Sequence, residues 1–228
     1  MTRRIPWVAG GLAALLALAA WWPVTTRRGI NGVVTVTRIP LWVKSAEFLI
    51  RDHHYRRIAR EVTAGASDEQ DTVMRLFGWV RREIRPQPED VPVIDDHVYS
   101  IIVRGYGTAD QFADVLATLC VYAGVPAVVN RLGQGGDRVH FVLAKVRGRW
   151  SPLDPYRGAH FESPDGALAA VEDLANDPAL LGAAYRGPAD PPLDYRRYFY
   201  PGLSASHVSV RPYNHLPLHR LWQELTGR

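Results

Sequence analysis

The stretch Arg104-Gly105-Tyr106-Gly107-Thr108-Ala109-Asp110-Gln111-Phe112-Ala113 decides how this chain folds. Thr108 is suited to cap a helix, and Gln111, three residues on, completes a capping box. The helix this predicts runs from Ala109 to Ala123, with Gly124 as the glycine just past its end. Its residues are apolar on almost every side. Such a helix belongs in the middle of a fold. Strands are predicted after it, over Pro126 to Leu132, Arg138 to Val146 and Arg149 to Leu153.

Two residues on those strands carry chemistry. His140 sits mid-strand in Val139-His140-Phe141-Val142-Leu143, and Asp154 ends the next strand. Their relation depends on the hairpin loop. A three-residue loop of Val146, Arg147 and Gly148 puts His140 opposite Asp154 on one face, where a carboxylate can hydrogen-bond an imidazole. A two-residue loop shifts the register by one and puts them on opposite faces. Pro152 marks this strand as an edge or an early end. A base with an orienting carboxylate is two-thirds of a Cys-His-Asp site. The missing third would sit at a helix N-terminus, where unpaired amides favour a thiolate. Ala109 occupies that location.

The landmarks Gly107-Thr108-Ala109, Gly124-Val125-Pro126-Ala127, His140 and Trp150-Ser151-Pro152-Leu153-Asp154-Pro155 resemble the transglutaminase-like superfamily of papain-type folds, over roughly Ser67 to Tyr156. The resemblance implies an α+β fold, with a central buried helix packed on an antiparallel sheet. It implies that His140 and Asp154 are the base and its orienter, and that Ala109 stands at the emptied nucleophile position. The lone cysteine, Cys120, lies eleven residues after Ala109. That is about 16 Å along the helix axis, so Cys120 is expected to pack in the core. Thr108 is engaged as a cap, and Asp110 points about 100° away around the helix.

The N-terminus carries a different signal. Arg3 and Arg4 precede an apolar run from Ile5 to Val24, closed by Arg27 and Arg28. The run is just long enough for a membrane anchor, with Trp21 and Trp22 at the interface. Ala17-Leu18-Ala19 equally offers a signal cleavage site. Either reading exports the domain: a single-pass membrane protein facing outward (periplasmic), or a secreted one. A short strand is expected over Gly29 to Ile39, then a helix over Leu41 to Thr63 whose Arg51, Arg56, Arg57 and Arg60 make a basic face. Ser67 and Gln70 read as the capping box of a second helix ending at Pro86 and Pro88. A further helix is expected from Ser163-Pro164 to Asn176, and a short one from Pro217 to Leu225. The organisation is therefore an anchor or signal over 1–28, a linker and juxtamembrane helix over 29–66, the core domain over 67–162, and an aromatic-rich extension over 163–228.

Several classes are set aside. No basic block with interleaved aromatics points to nucleic acid. One cysteine allows no internal disulfide and no Cys-based zinc site, and the histidines lack ligand spacing, so no metal and no cofactor are expected. The leading reading is a non-catalytic domain, a pseudoenzyme that binds a peptide, protein or glycan. One alternative is a Cys-His-Asp acyl-transfer enzyme, of peptidase or transglutaminase type, in which alanine replaces the cysteine. Another is a structural subunit of an envelope assembly, with Tyr195, Tyr198, Phe199 and Tyr200 as its contact surface.

Overall fold

The computed structural model describes residues 5–30, 33–134, 137–182, 193–199 and 216–226. Its first helix, α1 (Ile5–Ala20), is shorter than the expected apolar run. Pro23 disfavours helical backbone at Trp22, and the β-branched residues after it favour strand. The chain turns instead into a hairpin, β1 (Pro23–Ile30) on β2 (Val33–Pro40). No helix among the described residues is long and apolar enough to cross a membrane. The 20-residue span expected from the sequence is therefore not one helix.

The helix α2 (Leu41–Val62) follows without a break. It buries Phe48, Tyr55 and Ala59. Arg56, Arg57 and Arg60 are exposed as expected, whereas Arg51 is buried and bonds back to the Glu47 carbonyl at 2.9 Å. Next comes α3 (Glu69–Glu83), capped one residue later than the sequence suggested. Asp68 accepts from the Asp71 N–H at 2.8 Å. Gln70 is free of capping and reaches the 166–168 turn, donating to the Gly166 carbonyl and accepting from the Leu168 N–H.

A two-residue parallel pairing, β3 (Arg85–Pro86) with β4 (Tyr106–Gly107), brackets the short helix α4 (Val98–Arg104). Then α5 (Ala109–Tyr122) runs through the centre as read from the sequence, capped by Thr108. The main sheet is antiparallel, with β5 (Ala127–Gln134), β6 (Asp137–Val146), β7 (Arg149–Asp154) and β8 (Ala159–His160) in sequence order. Its two faces are distinct. Val142, Ala144, Val146 and Leu153 pack with Leu116, Leu119 and Phe112 of α5 and with Val73, Leu76 and Val80 of α3. Phe141 faces the other way, with Phe161, Leu174, Leu181, Tyr195 and Tyr198.

The expected helix from Ser163 is confined to α6 (Val171–Asn176). Gly166 takes a positive φ of 79° in a turn closed by its N–H to the Ser163 carbonyl, which no helix accommodates. A 3-10 turn (Pro178–Leu181), α7 (Arg196–Phe199) and α8 (Pro217–Thr226) complete the described chain. Tyr195 and Tyr198 are buried rather than displayed as a contact surface. Tyr200 lies outside the described residues.

Candidate functional site

The start of α5 is fixed from several directions. The Thr108 N–H donates to Gln111 Oε1 at 3.2 Å, and the buried Gln111 amide donates to Asp96 Oδ1 at 2.9 Å. Arg104 ties the same region together, donating to Gln111 Oε1, the Tyr106 carbonyl and the Asp95 carbonyl. Gly107 admits no side chain: an added Cβ would lie 2.9 Å from Gln111 Oε1. The Thr108 hydroxyl donates to the Asp110 carboxylate. Half-buried Ala109 is the first residue of this immobilised turn.

His140 lies on β6 with the side-chain parity of Val142 and Ala144, which puts it on the face that α5 covers. Its Nδ1 is buried and has no hydrogen-bond partner among the described residues. Burial holds the imidazole below its ordinary pKa. The charge that opposes this most is Asp110, and Arg131 adds to the depression. Asp154 attracts the imidazole less than Asp110 does. The helical-wheel argument from Ala109 therefore missed Asp110, because β6 runs beside the helix rather than off its end.

The hairpin loop settles the pairing left open above. Val146 pairs with Arg149, so the loop is the two-residue one, Arg147-Gly148. Both residues have positive φ, 52° and 78°, as a type I′ turn requires. The ladder then pairs Val142 with Leu153, which sets Asp154 beside Phe141. The three-residue register that would place it opposite His140 is not adopted. Asp154 is fully buried and bonded elsewhere. It accepts from the Arg157 N–H at 3.0 Å, from Arg157 Nη1 at 3.3 Å and from the Tyr195 hydroxyl at 3.1 Å. Tyr195 in turn packs on Phe141 and Phe161. Burial raises the Asp154 pKa, against the lowering pull of Arg157 and Tyr195. Tyr195 carried no sequence signal as a partner of Asp154, because it lies 41 positions away, whereas Arg157 is three residues on in the same turn but belongs to no motif read from the sequence.

The turn after Asp154 has its own support. Gly158 has φ 72°, and an added Cβ would lie 2.0 Å from Arg81 Nη1, so the Arg81 guanidinium of α3 occupies that space. Gly65 also has positive φ, 73°, but faces open space. Gly65→Ala and Gly158→Ala are each expected to cost about 1 kcal/mol from backbone strain, because the flexible Arg81 guanidinium can swing away from an added methyl. A distinctly larger loss for Gly158→Ala in urea melts would show that Arg81 is held in place.

Titration checks the electrostatics. In proton NMR the His140 imidazole is expected to titrate below an ordinary histidine. Asp110→Asn should lower it further and Arg131→Gln should raise it. A histidine with a depressed folded-state pKa supports folding fully above its unfolded value and loses that support as pH falls through the folded pKa. His140→Gln should therefore flatten the loss of stability below neutral pH. An imidazole that ignores both charge changes would remove Asp110 and Arg131 from its surroundings.

Cys120 is fully buried, and burial pushes its thiol up to about 12. Among the described residues no cluster of His, Cys, Asp and Glu could hold a metal ion.

Comparison with known proteins bears on the same segment. The model of the transglutaminase-like superfamily matches residues 56–155. No curated protein sequence matches the chain. Similar solved structures include a candidate cysteine protease from Cytophaga hutchinsonii, at 16% identity and TM-score 0.41, covering 54% of this chain and 45% of that one. A candidate protease from Parabacteroides distasonis has 16% identity and TM-score 0.38, covering 57% of this chain and 35% of that one. A structure described as a TGase has 15% identity and TM-score 0.41, covering 64% and 47%. The chain thus spans less than half the length of each. Residues 56–155, under half of the 228-residue chain, are thus similar to the transglutaminase-like superfamily, and the landmarks from Gly107 to Asp154 lie inside that match.

Proposed function

We propose that this transglutaminase-like domain is a non-catalytic binding module, in which the site at the head of α5 lacks its nucleophile. The observation that carries the reading is Ala109 itself. It is the first residue of a capped, buried helix, beside the strand of His140, and a methyl group has no lone pair to attack a carbonyl carbon. Three further facts support it. The Cys120 thiol is buried and un-ionised at neutral pH. The Thr108 hydroxyl is bonded to a carboxylate, far too weak a base to ionise it. The Asp154 carboxylate is occupied by Arg157 and Tyr195 instead of an imidazole.

The test is an amine-incorporation and peptide-hydrolysis assay on the unaltered chain, with His140→Ala beside it. No turnover above the His140→Ala background is expected. Turnover that His140→Ala abolishes would overturn the reading. The binding half is tested on a peptide array probed with the unaltered domain and with Ala109→Trp, which puts a large ring at the half-buried head of α5. Identical spots for both would place the ligand elsewhere.

A further inference from the structure

We propose that α1, the tryptophan corner that follows it and the base of the β1–β2 hairpin form a docking surface for an anionic lipid bilayer. The argument begins with composition. Residues 1–46 hold Arg3, Arg4, Arg27, Arg28, Arg38 and Lys44 and not one acidic residue. The whole chain nets only +4, so everything after residue 46 is on balance acidic. The net excess of positive charge lies at one end of the sequence.

That same end displays apolar surface that no described residue covers. The sequence of α1 contains no charged side chain. Its Leu15, Leu16 and Leu18 are 65%, 63% and 70% exposed. They stand at about 0°, 100° and 300° around the axis, so the helix offers apolar surface over an arc of about 160° rather than one narrow face to the protein. A helix of that kind needs an apolar surrounding phase. At its C-terminal end Trp21 and Trp22 are about two-thirds exposed, and Trp42 stacks edge-on to Trp21 at 5.9 Å. Tryptophans clustered where an apolar helix meets a polar hairpin match the headgroup level of a bilayer.

A crevice of about 420 Å³ opens beside this corner, lined by Trp22, Val24, Thr25, Arg38, Lys44 and Leu225. It brings two cationic side chains next to the apolar surface. Arg38 is exposed, and the buried Lys44 donates to the Thr25 carbonyl. This is the chemistry of a phosphate headgroup whose acyl chains lie against tryptophan. With 16 residues, α1 is about 24 Å long, short of the roughly 30 Å of bilayer hydrocarbon. It enters the lipid from one side and anchors there by apolar contact together with charge.

The experiment uses the full chain with vesicles of phosphatidylcholine alone, or of equal parts phosphatidylcholine and phosphatidylglycerol. Flotation is expected to recover the protein with the anionic vesicles, with tryptophan emission shifted to the blue and binding weakened by added salt. Arg38→Gln should bind anionic vesicles about fivefold more weakly and neutral vesicles unchanged. The double variant Trp21→Ser, Trp22→Ser should lose at least about tenfold on both. Both variants alter exposed residues, so their melting temperatures should match the parent. No vesicle binding, binding indifferent to lipid charge, or variants that bind like the parent would each overturn the proposal. So would a vesicle-independent dimer that the double tryptophan variant abolishes, which would assign this surface to a second copy of the chain.

Discussion

At near-neutral pH, the thiol introduced by Ala109→Cys is expected to react with iodoacetamide at least about a hundredfold faster than Cys120. The reactive species is the thiolate. With its pKa pushed up to about 12 by burial, Cys120 presents roughly one thiolate in 10⁵ at neutral pH. A cysteine at the first position of α5 would face the unpaired amides of that helix, where thiol pKa values fall to about 7 or below. Ionisation alone then favours position 109 by between four and five powers of ten. Intrinsic nucleophilicity falls with pKa, with a Brønsted slope of about 0.4–0.5, and returns about two of them. The steric protection of a fully buried Cys120 adds to what remains. Mass spectrometry of labelled peptides over time reads both sites in one sample. Labelling at position 109 no faster than at Cys120 would mean that the helix start has lost the electrostatics of a thiol site as well as the thiol. The result separates a silenced site from a remodelled one.

Phe141→Ala should destabilise the domain by about 3–5 kcal/mol. Phe141 is fully buried on the sheet face opposite α5, next in sequence to His140. Its ring packs on Tyr195 at a centroid distance of 5.8 Å, and Tyr195 also meets Phe161 at 5.3 Å. Removing the ring leaves a cavity and loosens the one described segment that reaches Asp154 from the C-terminal side. For a chain of this size the melting temperature should fall on the order of 10 °C. Tyr195→Phe is the control. It keeps the ring contacts and removes only the hydroxyl bonded to Asp154, so its cost should be about 1 kcal/mol. A Phe141→Ala loss no larger than that of Tyr195→Phe would show that the far-face cluster contributes little to stability.

What the sequence made legible was local. Thr108 and Gln111 define the start of α5 and Gly124 its end, because caps and left-handed glycines act within a few residues. The strands after it were read nearly to the residue from their alternation and the turns between them. The failures have long-range causes. The register of β6 on β7 depends on Arg147 adopting positive φ, which its residue type does not announce. Its N–H donates to Glu69 Oε2 at 2.6 Å and its guanidinium meets Asp68, both from the start of α3. Asp110 was set aside because its angle was judged from Ala109 alone. The apolar N-terminal run was read by length, and Pro23 with the β-branched residues after it outweighed hydropathy. Tyr195 buries itself on Asp154 from 41 positions away, beyond the reach of any motif.

The Arg147-Gly148 turn decides which face of the sheet the Asp154 carboxylate serves. Because side chains alternate along a strand, the number of residues in that turn acts as a parity bit for the whole site. With two, the carboxylate after Leu153 joins the Phe141 side, where a tyrosine and an arginine claim it. Drawing Val146 into the turn, so that Lys145 faced Arg149, would hand the same carboxylate to the imidazole without changing either functional side chain. In this chain the partition of residues between turn and strand thus decides whether that carboxylate serves the imidazole or the packing of the far face.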